Sequence, residues 1–149
     1  RALSLRDRLW LCFIADGVHA PFFALGNYLA LAGERAIVVT DAMAALGLGP
    51  GVYPLGDGPV TVGETGPRTS DGRLAGSVVT LPEAIANLAR TTSATLEEAV
   101  RCATVNPANA LGLDDRGDLR RTGSRGDVVI LDDDLTVVAT FVAGDRLHG

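Results

Sequence analysis

The chain has 149 residues and is 47% hydrophobic, which supplies apolar material for one globular domain, or for a piece of a larger one, and argues against disorder. Its formal charge is −5 and all 13 basic residues are arginines, scattered singly apart from the adjacent Arg120 and Arg121, so a nucleic-acid surface is not expected. No apolar run approaches the ~20 residues of a membrane span, and Asp7 and Asp16 interrupt the N-terminal stretch that a secretory signal would need, so the expectation is a soluble, cytoplasmic protein.

Residues 11–15 form a short apolar run closed by Asp16 and Gly17, and residues 36–40 form a second, closed by Asp41. Both read as buried parallel strands. Between them, residues 21–31 predict a helix with Pro21 near its start and Gly33 as its stop, which makes a strand–helix–strand unit of barrel type. Residues 47–72 are rich in Gly and Pro, alternate like a strand only over 59–62, and read as loops and short hairpins with a turn at Asp71 and Gly72. Thr80 with Glu83 and Thr95 with Glu98 have the capping-box spacing, which predicts helices at 81–90 and 96–104. Asn106 and Pro107 are expected to cap a third helix ending at Gly112. From Asp127 the pattern predicts two or three strands in a hairpin or meander, with Asp132, Asp133 and Asp134 in a solvated turn rather than a calcium loop.

Cys12 and Cys102 stand far apart in apolar surroundings and are expected to be buried free thiols. The chain has no lysine for a Schiff base, a phosphate loop or a carbamylated metal bridge, and its two histidines, His19 and His148, lack a second His at helical metal-site spacing. A metal site made by this chain alone is therefore not expected.

Three stretches carry candidate chemistry. Asp16, Gly17, Val18 and His19 follow the first predicted strand at the end that faces the active site in barrels, where an imidazole can meet sugar hydroxyls or phosphate oxygens. The alternative is a turn in which Asp16 caps and His19 is structural. Asp41, 22 residues after His19, ends the second strand, and one strand–helix–strand step would bring the two strand ends together; the alternative is a capping Asp. Leu74, Ala75 and Gly76 precede a capped helix and could expose backbone N–H groups to a ligand, or form a plain connection.

Together with residues 96–100, 106–113 and 126–132, these stretches occur in an order that resembles the C-terminal part of N-acetylglucosamine-6-phosphate deacetylases of the amidohydrolase superfamily, across nearly the whole chain. Gly126 and the Thr91, Thr92, Ser93 turn depart mildly from the family pattern. The resemblance implies an α/β fold: residues 1–112 as the last strands and helices of a (β/α)8 TIM barrel, and 113–149 as strands of a small β-sandwich. It implies Asp41 as the catalytic acid/base. It also implies Asp16, Gly17, Val18, His19, Leu74, Ala75 and Gly76 as sugar-phosphate-binding residues.

The cofactor implied is a divalent metal, zinc, bound mainly outside this chain, with no ligand assigned here. The partners implied are a small-molecule sugar phosphate, the remainder of the barrel and a second subunit of a homodimer. The alternatives are an amidohydrolase acting on another amide, and a catalytically incomplete fragment or interaction module.

Overall fold

The computed structural model describes residues 1–56 and 58–149. The first apolar run is strand β1 (Leu11–Ile14), and helix α1 (Phe22–Ala32) follows, starting from Pro21 and stopping at Gly33, whose φ of 56° ends the helix without a Cβ penalty. Strand β2 (Ala36–Val39) then returns parallel to β1, with Leu11 opposite Ala36 and Ile14 opposite Val39. Parallel neighbours need a crossover, and α1 supplies it.

The Gly- and Pro-rich segment is more ordered than its composition implies. It forms an antiparallel sheet of β3 (Gly51–Leu55), β4 (Gly58–Gly63) and β5 (Gly66–Thr69), with β4 in the middle. The expected short hairpins are observed, β3 with β4 and β4 with β5, joined into one sheet; only the expectation of loops is corrected, over residues 51–55 and 66–69. Pro54 and Pro67 sit on the two outer strands, where a missing N–H leaves no ladder bond unmade, so composition alone conceals these strands. Val60 and Val62 of β4 are buried with Met43, Ala45 and Ala75 in a small core of their own.

Helices α2 (Leu81–Thr91) and α3 (Leu96–Ala103) each begin with a complete capping box, Thr80 with Glu83 and Thr95 with Glu98. Helix α4 (Val105–Leu111) ends at Gly112 in the left-handed conformation. Its start differs from expectation: Asn106 is not a cap but lies inside the first turn, buried, and its amide donates to the Ala36 carbonyl at 2.7 Å. The helix is thereby tied to the beginning of β2, 70 residues earlier.

The chain closes in an antiparallel meander of β6 (Val128–Leu131), β7 (Val137–Val142) and β8 (Asp145–His148). In its first turn, Asp132 Oδ1 accepts the N–H groups of Asp134 and Thr136.

The main core lies between the parallel pair and the helices. Leu11, Ala15, Ala36 and Val38 pack with Leu25 and Leu29 of α1, Leu88 of α2 and Cys102 of α3. Cys12, paired with Ile37 in register, faces the other way and is exposed. The expectation of two buried thiols thus holds only for Cys102, because the helices cover one face of the strand pair and successive side chains alternate between faces. Burial, assisted by the nearby Glu98 charge, raises the Cys102 thiol above its ordinary pKa, which keeps it protonated and inert.

The tie at Asn106 has a measurable consequence. Asn106→Ala leaves a buried carbonyl without its donor and is expected to cost about 1–3 kcal/mol in denaturant unfolding. Asn109→Ala, at the exposed asparagine of the same helix, should stay within about 0.5 kcal/mol.

Candidate active site

Ile14 and Val39 are register partners, so Asp16 and Asp41, each two residues further on, emerge from the same end of the parallel pair. This is the end of the strands at which open α/β sheets and barrels place ligands. The expected convergence of the two strand ends is observed.

Asp16 is the hub of its turn. Its Oδ1 accepts the N–H groups of Val18 and His19, both at 2.9 Å, and its Oδ2 lies 2.7 Å from His19 Nδ1. Gly17 makes the turn possible: its φ is 74°, and a Cβ there would lie 2.7 Å from the Phe22 ring. Partial burial works against ionisation of Asp16, but the donated hydrogen bonds outweigh it and hold the carboxyl below its ordinary value of 3.8. A depressed folded-state pKa contributes stability that is fully present above 3.8 and lost as pH falls through the folded-state value. Acid unfolding should therefore be shallower below pH 3.8 in Asp16→Asn, which has no such proton to take up.

One residue missed in the sequence supports this turn from behind. Asn87 of α2 donates to the carbonyl of Ala15 at 2.8 Å, fixing the backbone immediately before Asp16. The available signal was an amide placed among the buried apolar positions of α2, which only a partner 72 residues away explains.

Asp41 is exposed, and its carboxylate takes no hydrogen bond among the described residues, so it is not acting as a cap. Its backbone is unusual: φ is 51°, in the left-handed region that a non-glycine residue enters at a cost. Two hydrogen bonds brace it. Ser77 N–H donates to the Asp41 carbonyl at 2.8 Å, and Met43 N–H donates to the Ser77 carbonyl at 2.9 Å, so residues 41–43 and 77 form a short parallel bridge. Ser77 is buried, and its hydroxyl accepts the Val79 N–H at 3.0 Å.

The third stretch joins the other two. Gly76, at φ 79°, has so little space that a Cβ would meet the Asp41 carbonyl at 2.9 Å. Ala75 N–H is already spent on the Pro67 carbonyl of β5 at 3.0 Å, so the expected row of N–H groups open to a ligand is reduced to those of Leu74 and Gly76. Next to it, a Cβ on Gly66 would touch Val18 at 3.5 Å and Leu74 at 3.9 Å. Gly66 thus lies between the side chains of Val18 and Leu74, and Gly76 lies against the backbone of Asp41.

Two concavities lie elsewhere. One of about 580 Å3 is lined by α1, α2, α3 and Ala36, and a groove of about 780 Å3 runs between α2, α3 and the β6–β7 hairpin. Neither is lined by Asp16, His19 or Asp41. Among the described residues no three His, Cys, Asp or Glu side chains gather to hold a metal ion.

Comparison with known proteins gives the arrangement its family. The amidohydrolase family profile matches residues 24–147. The chain belongs to the amidohydrolase family. Within it, the chain is 36% identical over 137 residues to a protein of Escherichia coli K12 provisionally named N-acetylgalactosamine-6-phosphate deacetylase, covering 92% of this chain and 82% of that one. It is 39% identical over 141 residues to N-acetylglucosamine-6-phosphate deacetylase of Lysinibacillus sphaericus, covering 94% of this chain but 36% of the relative. A solved structure of an aspartate-to-alanine mutant of N-acetyl-D-glucosamine-6-phosphate deacetylase from Mycobacterium smegmatis, in complex with N-acetyl-D-glucosamine-6-phosphate, superposes with a TM-score of 0.89 at 35% identity. That match covers 99% of this amidohydrolase chain and 40% of the solved one. This chain therefore spans little more than a third of the length of the two deacetylases named for the glucosamine sugar. No helix among the described residues is long and apolar enough to cross a membrane.

Proposed function

We propose that this chain supplies the acid/base carboxylate and part of the sugar-phosphate site of an enzyme that hydrolyses N-acetylglucosamine 6-phosphate to glucosamine 6-phosphate and acetate in amino-sugar catabolism. The observation that carries the reading is the meeting of the 16–19 turn, Asp41 and the 74–76 segment at one end of a parallel strand pair. The names of the relatives supply the substrate class.

In this reading residues 1–112 are the closing part of a (β/α)8 barrel and 113–149 belong to a small β-sandwich. The remainder of the barrel and a second, identical subunit complete the cytoplasmic enzyme. Among the described residues no group of side chains fits a metal centre by itself, and the divalent metal of the family, zinc, is assigned to ligands outside this chain.

The chemistry left to this chain is proton transfer and binding. Hydrolysis forms a C–O bond from water to the acetyl carbon and breaks the C–N bond to the sugar. The attacking water must lose a proton and the leaving amine must gain one. Asp41, exposed at the strand end with no competing hydrogen bond among the described residues, takes the first proton and delivers it to the amine nitrogen. His19 holds the 6-phosphate, and the Leu74 and Gly76 N–H groups orient the sugar or its acetyl group.

Kinetics on two sugars test the binding half. His19→Ala in the assembled enzyme should raise KM for N-acetylglucosamine 6-phosphate about tenfold or more, the value of a charge-assisted hydrogen bond, and change KM for N-acetylglucosamine far less. Equal losses on both would assign His19 a structural role. The galactosamine 6-phosphate name of the E. coli relative gives a specific reason to assay that epimer in parallel.

A further inference from the structure

We propose that Asp16 is not a ligand for the sugar but a positioning residue, which fixes the proton of His19 on Nδ1 and reserves Nε2 for the substrate's phosphate. The inference rests on the phosphate role given to His19 above, and it narrows the part played by the 16–19 stretch.

Three of the roughly four acceptor positions of the Asp16 carboxylate are taken inside its own turn. Oδ1 takes two backbone N–H groups and Oδ2 takes the imidazole, while the side chain keeps only 10% of its exposure, so little of the carboxylate is left to meet a sugar hydroxyl. The 2.7 Å contact is in the range of a charge-assisted hydrogen bond. An ionised carboxylate only accepts, so His19 Nδ1 must carry the proton. Gly17 is what lets the chain double back far enough for this, and the amide of Asn87 anchors the residue before it.

The free nitrogen is then determined. Nε2 has no hydrogen-bond partner among the described residues, and the imidazole retains 23% exposure. Phosphate oxygens are chiefly acceptors, so binding of the substrate is coupled to transfer of one proton onto Nε2, taken from solvent or from the singly protonated phosphate itself. The resulting imidazolium lies between two anions, Asp16 and the phosphate, and each supports the positive charge. Asn at position 16 would alter this in a defined way. Its oxygen can keep the two backbone N–H groups, but its NH2 would then face Nδ1, forcing that nitrogen to accept and moving the neutral ring's proton to Nε2.

The tautomer is directly observable by 15N NMR of the assembled enzyme in which this chain alone is labelled with 15N-histidine and carries His148→Gln, which leaves His19 as the single labelled histidine. The expected result is a neutral ring protonated at Nδ1, and protonated at Nε2 in Asp16→Asn. A wild-type ring protonated at Nε2 would overturn the proposal without any variant at position 16, and so would the same tautomer in both chains. In the assembled enzyme, Asp16→Asn should raise KM for the phosphorylated sugar about tenfold, with smaller changes in kcat and in KM for the unphosphorylated sugar. A switched tautomer with equal losses on both sugars would overturn the phosphate assignment instead, so the two claims fail separately.

Discussion

Asp41→Asn in the assembled enzyme should lower kcat by about 10²-fold or more while leaving substrate affinity nearly unchanged, since a positioned acid/base contributes at least that much. Asn has the same shape and cannot carry the proton. The substitution is also structurally mild: the bonds that hold Asp41 in its left-handed conformation come from backbone atoms of Ser77 and Met43, and asparagine enters that region more readily than most residues. Loss of rate with retained thermal stability would fit the acid/base role. Near-normal kcat would remove it, and joint loss of metal and fold would make Asp41 a structural or ligand residue. The aspartate-to-alanine mutant of the M. smegmatis relative, solved with its sugar phosphate bound, shows that in that protein loss of one aspartate is compatible with an occupied site.

Gly76→Ala should be almost as damaging to rate, for a reason that no side-chain chemistry supplies. Alanine at φ 79° is strained, and its methyl group would meet the Asp41 carbonyl oxygen at 2.9 Å, a backbone atom with no freedom to swing aside. Either the 76–77 segment backs away and the Ser77 N–H loses the Asp41 carbonyl, or Asp41 itself shifts. A displacement near 1 Å at a reacting group costs about 10²-fold. The expected outcome is a kcat loss of about 10²-fold with stability reduced by about 1–3 kcal/mol, the scale of backbone strain. Since Gly76 is also assigned to sugar binding, KM should rise as well, which separates this variant from Asp41→Asn. Unchanged kinetics would show that the bridge between residues 41–43 and 77 does not position the carboxylate.

The elements legible in the sequence were those whose signal is local. Two apolar runs ended by Asp, a helix framed by Pro21 and Gly33, and two Thr–Glu capping boxes gave β1, β2, α1, α2 and α3 close to their observed limits. The hairpins of residues 51–69 were expected, but only β4 showed a strand pattern; the limits of β3 and β5 were hidden because edge strands tolerate the Gly and Pro that usually mark loops. Asn106 resembled a cap because asparagine before proline often is one, and its true partner, the Ala36 carbonyl, lies 70 residues away.

The candidate site divides in the same way. The stretches containing Asp16, Asp41 and Gly76 could be marked by residue type and placement, and by resemblance to a family. Their geometry could not: the largely spent carboxylate of Asp16, the left-handed backbone of Asp41 and the spent N–H of Ala75 all depend on contacts between segments.

The most direct measurement is product analysis with the enzyme assembled from this chain and the remaining barrel, in the presence of divalent metal and N-acetylglucosamine 6-phosphate. The account predicts acetate and glucosamine 6-phosphate in equal amounts, with turnover reduced about 10²-fold or more by Asp41→Asn. No release of acetate from this substrate by a folded, metal-loaded assembly would contradict it.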